Sequence, residues 1–194
     1  MTASPRPTWD GHSPSIRYDA RISSCGRYRY ELTREFDPRG EWALWIGLNP
    51  STADGRDDDP TLRRMIDFTH GFGIPNLVVT NLYALRSKDP KDVKAAIMRG
   101  EDPVGPETNR ILRTWLTKAG LVLFAWGYSA KVGKPMLSRA WTVRRDVREA
   151  FRAMAADSFT PPPVGHLGLT EGKEKQPRHP LFLPASTRWT RIEP

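Results

Sequence analysis

The apolar stretches of this chain are short and near-continuous, and polar residues close each of them. Trp42 to Leu48 is apolar throughout and is ended by Asn49-Pro50-Ser51, the pattern of a strand buried on both faces. Leu77 to Tyr83 and Leu121 to Trp126 repeat it, the first ending in an Asn-containing segment and the second at Gly127. Tyr28 to Phe36 partly alternates and is rich in aromatic and β-branched residues, predicting a half-exposed strand. The turn Asp37-Pro38-Arg39-Gly40 would join it to the next run as a hairpin. A short last strand is expected at His166 to Leu169.

Helical periodicity fills the gaps. Asp59 is a good N-cap with Pro60 at the first helical position, and Leu62, Met65, Ile66 and Thr69 make one face before Gly71 and Gly73. Further helices are predicted at about Asp92 to Arg99, Glu107 to Lys118 and Ser138 to Ala155. The last has an apolar stripe of Val143, Val147, Phe151 and Met154, and it is otherwise strongly basic through Arg139, Arg144, Arg145, Arg148 and Arg152. Strands alternating with helices imply an α/β fold of three layers, α/β/α, around a mainly parallel sheet. Such sheets place their sites at the strand carboxyl ends. With Pro5, Pro7, Gly11 and Pro14 and little periodicity, residues 1–26 are expected to be a loosely ordered arm before one domain over 27–194.

Composition narrows the classes. The 194 residues carry 30 Lys plus Arg against 22 Asp plus Glu, a net charge of +8. The cations are spread along the chain, which favours an anionic partner, with nucleic acid the first candidate. A basic enzyme from an Arg-rich proteome accounts for the same charge. The single Cys25 excludes a disulfide framework, a four-Cys iron–sulfur cluster and Cys-rich zinc sites. No apolar run nears the roughly 18 residues of a bilayer span, and Met1 to Pro14 has no apolar signal core, so a cytoplasmic protein without membrane contact is expected.

Three polar segments therefore converge at one edge of the sheet: Asn49-Pro50-Ser51, Asn81 with Tyr83, and His179 in the final loop. An Asn where a strand ends commonly just turns the backbone, and His179 alone reads as a loop residue. Together, Gly47-Leu48-Asn49-Pro50-Ser51 resembles the first motif of the uracil-DNA glycosylase superfamily, in the form of its mismatch-specific uracil/thymine branch. His179-Pro180 resembles the second motif. Thr80-Asn81-Leu82 and Phe124-Ala125-Trp126-Gly127 fall where that superfamily places its middle strands. The chain also resembles a family of small bacterial and phage proteins of unassigned function. The shared residues run from Asn49-Pro50-Ser51-Thr52-Ala53-Asp54 through Asp59-Pro60-Thr61 to Arg64, with Asp102-Pro103-Val104-Gly105-Pro106-Glu107.

The glycosylase resemblance implies a uracil-DNA glycosylase-like fold and a monomeric, monofunctional DNA glycosylase that needs no cofactor. Asn49 would orient a water and His179 would donate to the departing base. Gly47, Leu48, Pro50, Ser51, Asn81 and Tyr83 would form the base pocket. Leu181 or Phe182 would be the apolar wedge in the duplex, and Lys173, Lys175 and Arg178 would meet phosphates. Where the strict uracil branch has a bulky aromatic after its motif proline, Ser51 is small. The implied substrate is a 5-substituted pyrimidine, such as a hydroxymethylated or glycosylated base of phage DNA, in antiviral defence or in repair. The stacking aromatic usual after the first motif is missing, and Tyr83 or Trp126 could replace it.

Two other classes compete. The loop with Asp54, Asp57, Asp58 and Asp59 could serve a metal-assisted nucleotide hydrolase or transferase, although neighbouring carboxylates on extended chain point apart. Its milder role is Asp59 capping the next helix. A non-catalytic DNA-binding module would keep the pocket without the chemistry.

Overall fold

A computed structural model describes residues 17–51 and 58–193. Seven strands, β1 (Arg17–Ile22), β2 (Arg29–Glu35), β3 (Trp42–Gly47), β4 (Asn76–Asn81), β5 (Leu121–Phe124), β6 (Val164–His166) and β7 (Thr190–Ile192), form one sheet in the order β1-β2-β4-β3-β5-β6-β7. Helices α1 (Pro60–Gly71), α2 (Lys91–Met98), α3 (Thr108–Leu116) and α4 (Lys134–Ala156) and a 3-10 turn (Pro180–Phe182) complete the α/β architecture. Among the described residues no helix is long and apolar enough to cross a membrane.

The apolar runs explain the centre of the sheet. Side chains alternate across β3, so Ala43 and Trp45 face one way with Leu77 and Val79 of β4 and Leu121 and Leu123 of β5, against Leu62, Met65 and Ile66 of α1. Leu44, Ile46, Val78, Val122 and Phe124 face the other way, against Leu112 of α3 and Met136, Val143 and Val147 of α4. Both faces are covered, which a strand apolar on both sides requires. Trp45 buries its one polar atom without loss, since Nε1 donates to Thr69 Oγ1 at 2.9 Å.

The sheet is mixed rather than mainly parallel. β4, β3, β5 and β6 are parallel, while β1 with β2, β2 with β4, and β6 with β7 are antiparallel. The expected hairpin between the second and third strands does not form, because β2 pairs with β4, and β3 lies on the far side of β4. Asn76, fully buried at the head of β4, accounts for this. Its Oδ1 accepts from the backbone N–H groups of Phe36 and Asp37, and its Nδ2 donates to the carbonyls of Asp37 and Gly40. The turn is thereby clamped across the start of β4, so its two strands flank that strand. Gly40 is obligatory there, as a Cβ would come within 2.2 Å of Pro75 Cγ.

Residues 17–22, within the stretch expected to be a loose arm, form edge strand β1. Half of its side chains are charged and most are exposed, so it carries no burial pattern to read. β7 was likewise not foreseen, and the last core strand ends at His166 instead of starting there.

Candidate active site

The parallel strands end at one rim, and the site is built on it. Gly47 closes β3 directly beside Asn81 of β4. A Cβ at Gly47 would lie 2.6 Å from Asn81 Oδ1, so only glycine leaves room for that amide. Asn81 is 6% exposed, and its side chain has no hydrogen-bond partner among the described residues. It lines a cavity of about 230 Å³ together with Gly47, Leu48, Asn49, Ser51, Trp126 and His179. Its polar atoms open on the cavity, where a ligand or water can complete their hydrogen bonds.

Asn49 follows the end of β3 and is fixed from behind. Its Nδ2 donates to the Ser87 carbonyl at 3.0 Å and to the Pro50 carbonyl at 3.3 Å. Ser87 N–H in turn donates to the Pro50 carbonyl at 2.9 Å, tying the two loops together. No partner among the described residues takes Asn49 Oδ1, which is therefore the atom with acceptor capacity to spare. Ser51 donates from Oγ to Asp59 Oδ2 at 3.2 Å, while Asp59 Oδ1 caps α1 by accepting from Leu62 N–H at 2.8 Å. One carboxylate thus links the start of α1 to the loop after β3, and it lines the cavity as well.

His179 enters from the last loop. Gly127, at φ +67°, donates its N–H to the Pro177 carbonyl at 2.8 Å, and a Cβ on it would lie 3.3 Å from His179 Cβ. Trp126 Nε1 holds Gln176 Oε1 at 2.9 Å, a second tether on the same loop. His179 Nδ1 accepts from Leu181 N–H at 3.4 Å, which assigns the proton of the neutral ring to Nε2. Burial pushes the imidazole below its ordinary value of 6.5, with Asp59 opposing the shift. A neutral donor results.

Several lining residues escaped sequence reasoning. Arg29 is 7% exposed and lines the cavity, where burial lowers its guanidinium to about 10 and Asp59 opposes this. It stays a cation at neutral pH. The cause of its inward placement is a bulge: Arg21 pairs with Glu31 but Ile22 with Arg29, leaving one extra residue on β2. No residue pattern announces that bulge. Ser87 and Lys88, also in the lining, belong to a loop without a motif of its own.

Other expected residues lie elsewhere. Tyr83 is 3% exposed in the core under α4 and is absent from the cavity wall, and burial raises its phenol to about 12. Trp126, the other candidate for stacking, does reach the cavity. Pro50 is buried behind it and contributes its carbonyl. Lys173, Lys175 and Arg178 are exposed outside the lining, Leu181 is half-buried, and Phe182 is 83% exposed on the turn after His179. On α4, Arg139 turns inward to the Leu82 carbonyl and Asn109, and Arg144 lies 5.5 Å from the Trp126 ring centre. Asp54 and Asp57 lie outside the described residues. Among those described, no cluster of three His, Cys, Asp or Glu could hold a metal, Asp58 being paired with Arg34 and Asp59 capping α1.

His70, His166 and His179 share a consequence. Burial lowers all three below 6.5, so the unfolded chain binds protons that the folded chain does not. Stability is expected to be full above about pH 7 and to fall as pH drops through 6.5. Urea denaturation at pH 7.5, 6.5 and 5.5 checks this, and a midpoint unchanged across the series would contradict it.

Neither a curated protein nor a solved structure matches the chain. The family model described as "Protein of unknown function (DUF1643)" matches residues 29–181. That stretch starts at the buried cavity arginine and takes in Asn49, Asn81 and His179 together with the fold that brings them to one rim. The chain therefore belongs to DUF1643, a family of unknown function.

Proposed function

We propose that the cavity is the active site of a monofunctional DNA glycosylase that hydrolyses the N-glycosidic bond of a 5-substituted pyrimidine and leaves an abasic site. The observation that carries this reading is the convergence of Asn49, Asn81 and His179 on one small cavity. The parallel centre of the sheet, covered by helices on both faces, supports the uracil-DNA glycosylase-like fold that the motifs imply.

The chemistry divides among these side chains. Bond cleavage builds a cationic sugar and an anionic base. Asn49 Oδ1 accepts from the attacking water and orients it, an amide being too weak a base to deprotonate it outright; once the water has added to the sugar cation, its proton passes through solvent to the released base anion. His179 donates from Nε2 to the base oxygen that gains negative charge, and the buried Arg29 cation favours the same anion. Asp59 offers negative charge to the sugar cation. Asn81 reads the edge of the flipped base, and Trp126 is the aromatic available to it.

The cavity, at about 230 Å³, is below the roughly 300–1,000 Å³ of sites for drug-sized ligands. It suits one pyrimidine ring with a small substituent beside Ser51, such as a hydroxymethyl group. A sugar on that substituent would lie outside the cavity. Attack on foreign DNA with such bases and repair of host DNA would use the same steps. Oligonucleotides bearing uracil, thymine mispairs or 5-hydroxymethyl pyrimidines, treated with the protein and then with alkali, test the reading. Strand breaks at the modified base are expected, and intact strands throughout would refute it.

Phe182 is the wedge in this scheme. Exposed on a three-residue turn, it contributes little to the core. Phe182→Ala is expected to leave thermal stability unchanged and to slow base release from duplex DNA about tenfold, because the ring offsets part of the few kcal/mol that unstacking a base step costs. Single-stranded DNA should lose far less. Equal losses on the two substrates in single-turnover assays would remove the wedge role.

A further inference from the structure

A second recess, of about 550 Å³, adjoins the cavity and shares Ser87 and Lys88 with it. Four cations line it, Arg27, Arg86, Lys88 and Arg99, against two carboxylates, Asp92 and Glu101. Both carboxylates are already engaged. Glu101 is paired with Arg27 and, at 2.7 Å, with Arg99, while Asp92 accepts from Ser87 Oγ at 2.6 Å. Lys88 is exposed and has no ion-pair or hydrogen-bond partner among the described residues, and it stands on the rim common to both spaces.

We infer that this recess binds a phosphodiester of the DNA strand next to the nucleotide held in the cavity, with Lys88 as its principal contact. A nucleotide in a strand carries a phosphate on each side of its sugar. A base inserted beside Asn81 and His179 therefore brings phosphates to the cavity mouth, where Lys88 stands. The surplus of two positive charges in the recess matches an anion, and the guanidinium groups around Glu101 form a positive wall behind Lys88. The neighbouring Ser87 carbonyl anchors Asn49, so phosphate capture at Lys88 would also bear on the loop that orients the water. Lys173, Lys175 and Arg178, the cations first suggested by the sequence, border neither space.

The inference rests on the glycosylase reading for what fills the cavity, but its test does not require catalysis. Binding of a fluorescent oligonucleotide is measured by anisotropy at several salt concentrations for the wild type, Lys88→Gln and Lys88→Glu. Lys118→Gln is the control of equal charge change, at the opposite ends of the strands, where Gly120 bonds the Trp42 carbonyl. Lys88→Gln is expected to lower the slope of log affinity against log salt by about 1 and to weaken binding several-fold, Lys88→Glu to weaken it further, and Lys118→Gln to change neither. Matching thermal midpoints establish that the variants fold. Wild-type affinity and slope in Lys88→Glu would overturn the inference, as would no DNA binding by the wild type. A nucleoside monophosphate that binds as tightly as the oligonucleotide would replace the strand with a free nucleotide. Loss of slope in Lys88→Gln without base release from any DNA would keep the recess and refute the enzyme.

Discussion

Asn49→Ala is expected to reduce base release by about 10²- to 10³-fold while DNA binding stays near that of the wild type. The size follows from losing a positioned group at the reacting centre, where small misplacements cost about two orders of magnitude. The amide is held through Nδ2 by the Ser87 carbonyl, so Oδ1 keeps a single orientation before substrate arrives. Removing it also removes that anchor, at a stability cost of about 1 kcal/mol. Asn49→Asp is a sharper probe. It keeps an oxygen in place of Oδ1 but turns a second oxygen toward the Ser87 carbonyl, an acceptor against an acceptor. The carboxylate should therefore swing from its position and fail to restore the rate. Single-turnover release combined with anisotropy separates the two effects. Loss of binding in proportion to loss of rate would mean that Asn49 holds DNA and does not serve the chemical step.

The largest stability effect is expected at the pair beneath the site. Arg34 of β2 has a fully buried side chain, with its guanidinium 4.5 Å from the Tyr18 ring centre of β1. Its Nε donates to Asp58 Oδ1 at 2.8 Å and its Nη1 to the Thr33 carbonyl at 2.8 Å. Nη2 lies 2.7 Å from the same Asp58 oxygen but is too poorly aligned to donate. Asp58→Ala strands the buried cation and should cost about 3 kcal/mol, the lower end for breaking a buried pair because Asp58 keeps some exposure. For a chain of this length that is roughly 6–12 °C in Tm. Arg34→Leu combined with Asp58→Ala should recover most of the loss, since a buried ion pair is weakly stabilising against an apolar replacement. The effect reaches the cavity because Asp58 precedes Asp59, which caps α1 and holds Ser51. If Asp58→Ala melts with the wild type, the pair is not what fixes this segment.

The parts of the fold legible in the sequence are those where burial leaves a residue pattern. Trp42 to Leu48, Leu77 to Tyr83 and Leu121 to Trp126 could be read because a strand covered on both faces must be apolar on both. The strand order could not, because it turns on one side chain, Asn76, whose four hydrogen bonds carry the turn across β4. In the site, Asn49, Asn81 and His179 were legible as polar residues at strand ends and in the last loop. Tyr83 was placed in the pocket by its nearness to Asn81. The strand has already ended there: its N–H is spent on the Leu48 carbonyl, and its ring turns into the core near Arg139. Arg29 faces the cavity through a bulge, and bulges follow from pairing between strands, which one strand's residues do not reveal.

Mass spectrometry of the free base decides whether the cavity excises a base. The wild-type protein and Asn49→Ala are incubated with DNA containing a 5-hydroxymethyl pyrimidine, and the low-molecular-weight fraction is analysed. Hydrolysis of the glycosidic bond at this site predicts the intact modified base, released in step with abasic sites by the wild type and at least a hundredfold more slowly by Asn49→Ala. A released nucleotide in its place, or no base released by a wild-type protein that binds the DNA, would contradict it.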